Sequence, residues 1–307
     1  MLLRLKSQHV LAGIVLMLLA IFVFSLMDAS IKWLGSHYTP MQVAFFRGAF
    51  SLPLVCLWFF SRGRVSDLKT QRFRWHLLRG LISIIFLSAA VIGLRELNIV
   101  TVYAVFFLAP MIIAILSVFL LNEQIGWHRW SAILIGFLGV IVALDPSATS
   151  FLGLGVIACL VSVLGYSYNV ILMKQLTSTE STFALIFYLL VVLTVGSGVL
   201  AIFDWNPLQW HHWPYFLVLG LTGAIGQLFL TAAFQRAPAS VLSPLEYTAL
   251  IWGALLGYWL WNEEPSANTY FGALLIILSG LYMMYRESLQ RDAEPPVKED
   301  TQGETAT

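Results

Sequence analysis

Long apolar runs separated by short polar stretches dominate this chain from end to end. A helix needs roughly 20 apolar residues to cross a bilayer's hydrocarbon core, within a range of about 17–25. Runs of that kind predict spans at 10–34, 40–60, 76–94, 99–121, 130–144, 152–173, 182–203, 214–233, 239–261 and 268–285. The fifth is short and is expected to extend back toward Trp127. Together the ten spans hold five charged residues: Asp28, Lys32, Arg47, Arg79 and Glu246. Alternating segments of about 10 residues, the mark of barrel strands, do not occur.

Composition agrees and removes other classes. Apolar and aromatic residues make up 59% of the chain and charged residues 11%, whereas soluble domains carry about 25% charged residues. The net charge of +1 gives no nucleic-acid footprint. Cys56 and Cys159 stand singly in apolar runs, so neither a disulfide framework nor a CxxC site is expected. Basic residues set the orientation. With the N-terminus inside, 14 of the 17 Lys and Arg fall in cytoplasmic segments, which predicts an inner-membrane, multi-pass protein with both termini cytoplasmic. The stretch 287–307, rich in Glu, Pro, Gly and Thr, reads as a disordered cytoplasmic tail.

The chain resembles itself at a shift of about 140 residues. Gly13, Ser25 and Lys32 match Gly155, Ser167 and Lys174, and Leu121-Asn122-Glu123-Gln124 matches Trp261-Asn262-Glu263-Glu264. Each unit, 10–145 and 150–286, holds five spans. Five is odd, so the second unit enters from the opposite face, and the expected fold is an all-α bundle of two inverted five-helix repeats.

Several motifs resemble the EamA-type family of the drug/metabolite transporter superfamily. They include Phe24-Ser-Leu-Met-Asp28-Ala-Ser-Ile-Lys32-Trp-Leu34, Phe45-Phe46-Arg47-Gly48, Leu78-Arg79-Gly80 and Gly136-Phe-Leu-Gly139. In the second half stand Ala237-Pro238, Pro244-Leu-Glu246-Tyr247, Trp252-Gly253 and Asn262-Glu263-Glu264-Pro265. The resemblance covers about residues 10–286. It implies a central cavity through which small metabolites move. Members with similar signatures handle riboflavin, S-adenosylmethionine or opine-type metallophores.

Ionisable groups inside a bilayer cost about 2.5–3.5 kcal/mol on insertion scales, so each needs a reason. Asp28 and Lys32 lie four apart on one helix face, close enough to pair; Lys32 can also snorkel outward. Asp28 and Arg47 occupy similar depths with opposite sign. They read either as a structural ion pair or as anchors for a charged or zwitterionic substrate. Glu246 follows Pro244, which frees a backbone carbonyl and suits a broken helix at a cavity. It is the candidate substrate and proton-coupling site. Tyr168, Asn169, Gln227, Tyr247 and Trp252 complete the candidate binding set, against the commoner role of packing. Pro110 is expected to mark a second interrupted helix. Arg79 reads as a topology anchor, and Gly253 and Gly257 form a small-residue contact motif. His211-His212 reads as an exposed loop pair rather than a metal site.

The expected activity is secondary transport of a small polar or zwitterionic metabolite by alternating access, with efflux favoured over uptake. Uptake of riboflavin or S-adenosylmethionine is the alternative. A membrane-embedded enzyme is the remote one, because the spans lack a catalytic cluster. Partners are the lipid bilayer and the small-molecule substrate. Neither cofactor nor metal is expected, and a homodimer is compatible with the sequence.

Overall fold

The computed structural model describes residues 2–62, 68–122, 126–144, 153–176, 179–234, 236–237 and 242–293. Every regular element among them is helical. α1 is Leu2–Gly35, α2 Pro40–Arg62, α3 Phe73–Glu96, α4 Ile99–Phe106, α5 Ala109–Leu121 and α6 Trp127–Ala143. α7 is Leu154–Leu176, α8 Thr182–Ala201, α9 Trp213–Phe234, α10 Ala249–Trp261 and α11 Ala267–Ala293, with a 3-10 turn over Ser243–Thr248 before α10. Among the described residues seven segments are long and apolar enough to cross a membrane: Val10–Gly35, Pro40–Trp58, Phe73–Glu96, Ile99–Leu121, Leu154–Leu176, Phe183–Asp204 and Trp210–Phe234. The expected spans at 130–144 and 268–285 correspond to the shorter apolar helices Trp130–Ala143 and Ala267–Met283. The 239–261 span is divided into the 3-10 turn and α10. α6 does begin at Trp127. α11 continues to Ala293, so the first residues of the expected disordered tail are helical; 294–307 lie outside the described residues.

Two spans are interrupted where the prolines stand. α4 and α5 are separated at Phe107–Leu108, with Pro110 in the first turn of α5. Proline donates no backbone N–H and its ring crowds the preceding turn, so the helix restarts there. Pro244 opens the 3-10 turn that carries Glu246. Both α5 and α10 end on asparagines in the left-handed region, Asn122 at φ 55° and Asn262 at φ 53°. Asparagine tolerates that conformation better than most residues, which explains why both repeats carry Asn at this helix end.

Exchange of the halves maps the principal helix contacts onto one another. α1 packs on α9 as α7 packs on α3, and α2 on α9 as α8 on α3. α5 lies on α7 as α10 lies on α1, while α2–α8 and α6–α11 pair across the relation itself. Detail follows: a Cβ at Gly13 would stand 2.7 Å from Ala237, and one at its counterpart Gly155 2.9 Å from Leu97. The exchange is incomplete: α2 packs on α3 more closely than α8 does on α9, and α1 packs on α3 more closely than α7 does on α9.

The α6–α11 crossing depends on backbone approaching backbone. A Cβ on Gly272 would collide with the Gly139 carbonyl and the Ala143 amide, neither of which can rotate away. Gly272→Ala is therefore expected to destabilise the protein by about 1–3 kcal/mol, the usual cost of overpacking. Thermal denaturation in detergent checks this. The comparison is Gly196→Ala, whose Cβ would meet only the flexible end of Ile84.

Candidate functional site

The interior charges divide into groups that protein partners satisfy and groups that they do not. Lys32, expected beside Asp28, turns elsewhere. Its Nζ lies 2.8 Å from Glu263 Oε1 and donates to the carbonyls of Leu94 at 2.8 Å and Leu97 at 2.6 Å. Only 7% of the residue is exposed, so it does not snorkel. Arg79 is likewise buried rather than a surface anchor. Its Nε and Nη2 both donate to Asn169 Oδ1 at 3.3 Å, and Nη1 donates to the Leu185 carbonyl. Asn169 Nδ2 returns hydrogen bonds to the Arg79 carbonyl and Ser83 Oγ. Asn169, a candidate for substrate, is thus occupied in tying α7 to α3.

Asp28 and Arg47 do not form the direct ion pair that one reading expected. Asp28 Oδ2 accepts a hydrogen bond of 2.9 Å from Tyr103 Oη, a partner that the sequence reading missed. Tyr103 is buried and its ring lies over Gly253 of α10, so that glycine serves the α4–α10 contact. Arg47 remains within electrostatic reach of Asp28. Among the described residues it makes neither a hydrogen bond nor an ion pair. Its Nε lies beside Gly223 of α9, 3.9 Å from where a Cβ would stand.

Glu246 is exposed on its 3-10 turn and also has no hydrogen bond or ion pair among the described residues. Tyr247 beside it and Tyr166 of α7 are within its electrostatic reach. The two interrupted segments meet here: the Tyr247 ring lies 4.9 Å from that of Phe107. Phe107 and Tyr247 are repeat counterparts, so this contact sits where the halves exchange. Tyr247 Oη rests on Gly280 of α11, leaving no room there for a side chain.

The remaining candidates are dispersed. Trp252 packs edge-on against Phe22 at 4.7 Å, within an apolar cluster around Met17, Ile21 and Leu242. Gln227 lines a small crevice with Leu54, Trp58 and Ile186, away from Asp28. Tyr168 is half-buried. His212 is buried, contrary to an exposed loop, and its Nδ1 lies 2.8 Å from Tyr38 Oη. Among the described residues no group of three or more His, Cys, Asp or Glu could hold a metal.

A helical membrane bundle whose halves exchange, with helices interrupted at the exchange point, is the architecture that polytopic small-molecule carriers use. The chain belongs to the EamA-like transporter family, whose model matches residues 11–144 and again 153–286. It is 31% identical to an S-adenosylmethionine uptake transporter of Rickettsia felis, over 90% of this chain and 94% of that one. It is 25% identical to a pseudopaline exporter of Pseudomonas aeruginosa, covering 87% and 94%. It is 26% identical to a riboflavin transporter of Vibrio cholerae, covering 92% and 96%. A crystal structure sharing 19% identity superposes with a TM-score of 0.61 over 94% of this chain and 99% of its own, which shows the fold.

Removing the Asn169 amide would leave the Arg79 guanidinium buried with its main acceptor lost. Asn169→Ala is expected to lower the folded, inserted yield severalfold, since an unsatisfied buried group costs about 1–3 kcal/mol and a charged one more. Asn169→Asp should fold better than Asn169→Ala, and Tyr168→Phe should match the parent. Size-exclusion chromatography of detergent extracts reads all three.

Proposed function

We propose that this protein is a secondary transporter that carries a small zwitterionic metabolite across the cytoplasmic membrane by alternating access of its two halves. Both termini lie on the cytoplasmic side in this reading, and the homologous units 10–145 and 150–286 are related by an axis in the membrane plane. One observation carries the substrate class. Arg47 and Glu246, opposite in sign, are the interior charges that protein groups leave without a direct hydrogen bond or ion pair among the described residues. A substrate carboxylate on Arg47 and a cationic centre near Glu246 would satisfy both. Desolvated charges demand such partners.

Tyr166, Tyr247 and Phe107 add aromatic faces beside Glu246, which suits a cation or a ring. S-adenosylmethionine, carried by the Rickettsia relatives named for its uptake, has a carboxylate, an ammonium and a sulfonium. It is the first compound to test. Riboflavin lacks the charges that would use both groups. The named relatives include importers and an exporter, so direction is read from the same assay. Glu246 also serves as the proton-coupling carboxylate, because the 3-10 turn presents it to an accessible space.

Proteoliposomes preloaded with S-adenosylmethionine are expected to show saturable counterflow of the labelled compound. Its carboxyl methyl ester should compete poorly and riboflavin not at all. Absence of counterflow, or competition by riboflavin and the ester as strong as by unlabelled S-adenosylmethionine, would contradict the zwitterion reading. Glu246→Gln is expected to abolish accumulation driven by an imposed pH gradient while counterflow survives. Gradient-driven accumulation at the parent level would return Glu246 to a packing role.

A further inference from the structure

Lys32 and Glu263 form a buried junction at the end of the bundle where α1, α3 and α10 finish and α4 begins. Lys32 contributes an ion pair and two carbonyl contacts, and its ammonium stands 5.6 Å over the Trp261 ring. The second oxygen of Glu263 accepts the Ile99 N–H at 3.0 Å. One carboxylate thus holds α1 and α4 together. A turn further into the bundle, on these same two helices, Asp28 and Tyr103 share their hydrogen bond. Lys32 follows Asp28 by four residues and Ile99 precedes Tyr103 by four, so one helical turn separates the two ties on each side.

The opposite end differs. There, α7 stands further from α9 than α1 does from α3. At the Lys32 end α1 meets α3 closely: a Cβ on Gly35 would lie 2.9 Å from Val91 Cγ1. This inequality is what a carrier closed at one end presents.

We propose that Lys32 and Glu263 are the latch that closes this end of the carrier, and that Glu263 positions Tyr103 on Asp28 while the latch is shut. This rests on the alternating-access reading. The pair holds while water is excluded. Once water reaches it, both charges are solvated and their attraction weakens. α4 then parts from α1, Tyr103 leaves Asp28, and that carboxylate becomes free as the path opens on this side. Lys32 and Glu263 are accordingly positioning residues rather than substrate ligands.

The test needs no substrate, so its failure is distinct from failure of the substrate assignment. Met27→Cys, beside Gly223 and near Arg47, reports access to the interior in a chain whose Cys56 and Cys159 are replaced by alanine. A membrane-impermeant thiol reagent is applied from the outer face, to which the expected topology assigns the Lys32 end. Minor states of such equilibria are populated at about 0.1–10%, so Glu263→Gln is expected to raise the labelling rate about tenfold. Glu263→Asp, too short to reach Lys32 and the Ile99 N–H together, should give an intermediate rate. Glu96→Gln, in the surface pair with Arg95, should label at the parent rate. Should Glu263→Gln insert poorly, Glu263→Asp carries the decision. Labelling at the parent rate in every inserted Glu263 variant, with or without loss of transport, makes the pair a static tie and overturns the proposal.

Discussion

The cost of keeping an ionised group away from water governs how this bundle is built. Each interior charge has to find a partner in the protein, or face a space where water or substrate can reach it. Arg79 and Lys32 take the first course. Arg79 is held by an asparagine and a backbone carbonyl, and Lys32 by a glutamate and two carbonyls. These ties fix α3 to α7, and α1 to the junction of α3, α4 and α10. In the proposed function Arg47 and Glu246 take the second course. Their freedom is possible because other groups carry the structural work.

Backbone interruptions serve the same division. Pro110 and Pro244 stop two helices short of continuity, and the exposed Glu246 sits on the second break. The contact of Phe107 with Tyr247 places both breaks at the point where the halves exchange. A carrier that alternates between two faces has its fixed point there, since exchange of the repeats leaves that region in place. Close glycine contacts at α1–α9, α3–α7 and α6–α11 hold the helices near enough for these few polar groups to meet.

Most of the fold was legible in the sequence, because apolar run length and the shift of about 140 residues are properties of the chain alone. The two proline breaks and the left-handed Asn122 and Asn262 also follow from local chemistry. Partner choice was not legible. Sequence spacing put Lys32 beside Asp28, yet Lys32 reaches a glutamate more than two hundred residues away. Tyr103 was indistinguishable from other span aromatics, and only the α1–α4 packing brings it to Asp28. Asn169 offered the right chemistry for a ligand but is consumed by Arg79. The repeat did hold a usable signal: Asn-Glu at 262–263 and Lys32 are both repeated in the other half, which marks them as structural before any partner is known.

The central claim is that the charges without a direct hydrogen bond or ion pair among the described residues are the ones that bind the cargo. It is tested most directly by comparing Arg47→Gln with Arg79→Gln in purified protein, measuring S-adenosylmethionine binding by equilibrium dialysis alongside the thermal midpoint. The account predicts that Arg47→Gln keeps the parent midpoint within a few degrees and loses binding at least tenfold, roughly 1.4 kcal/mol. Arg79→Gln should lower the midpoint while its folded fraction still binds. An Arg47→Gln protein that unfolds early, or that binds as the parent does, would contradict it.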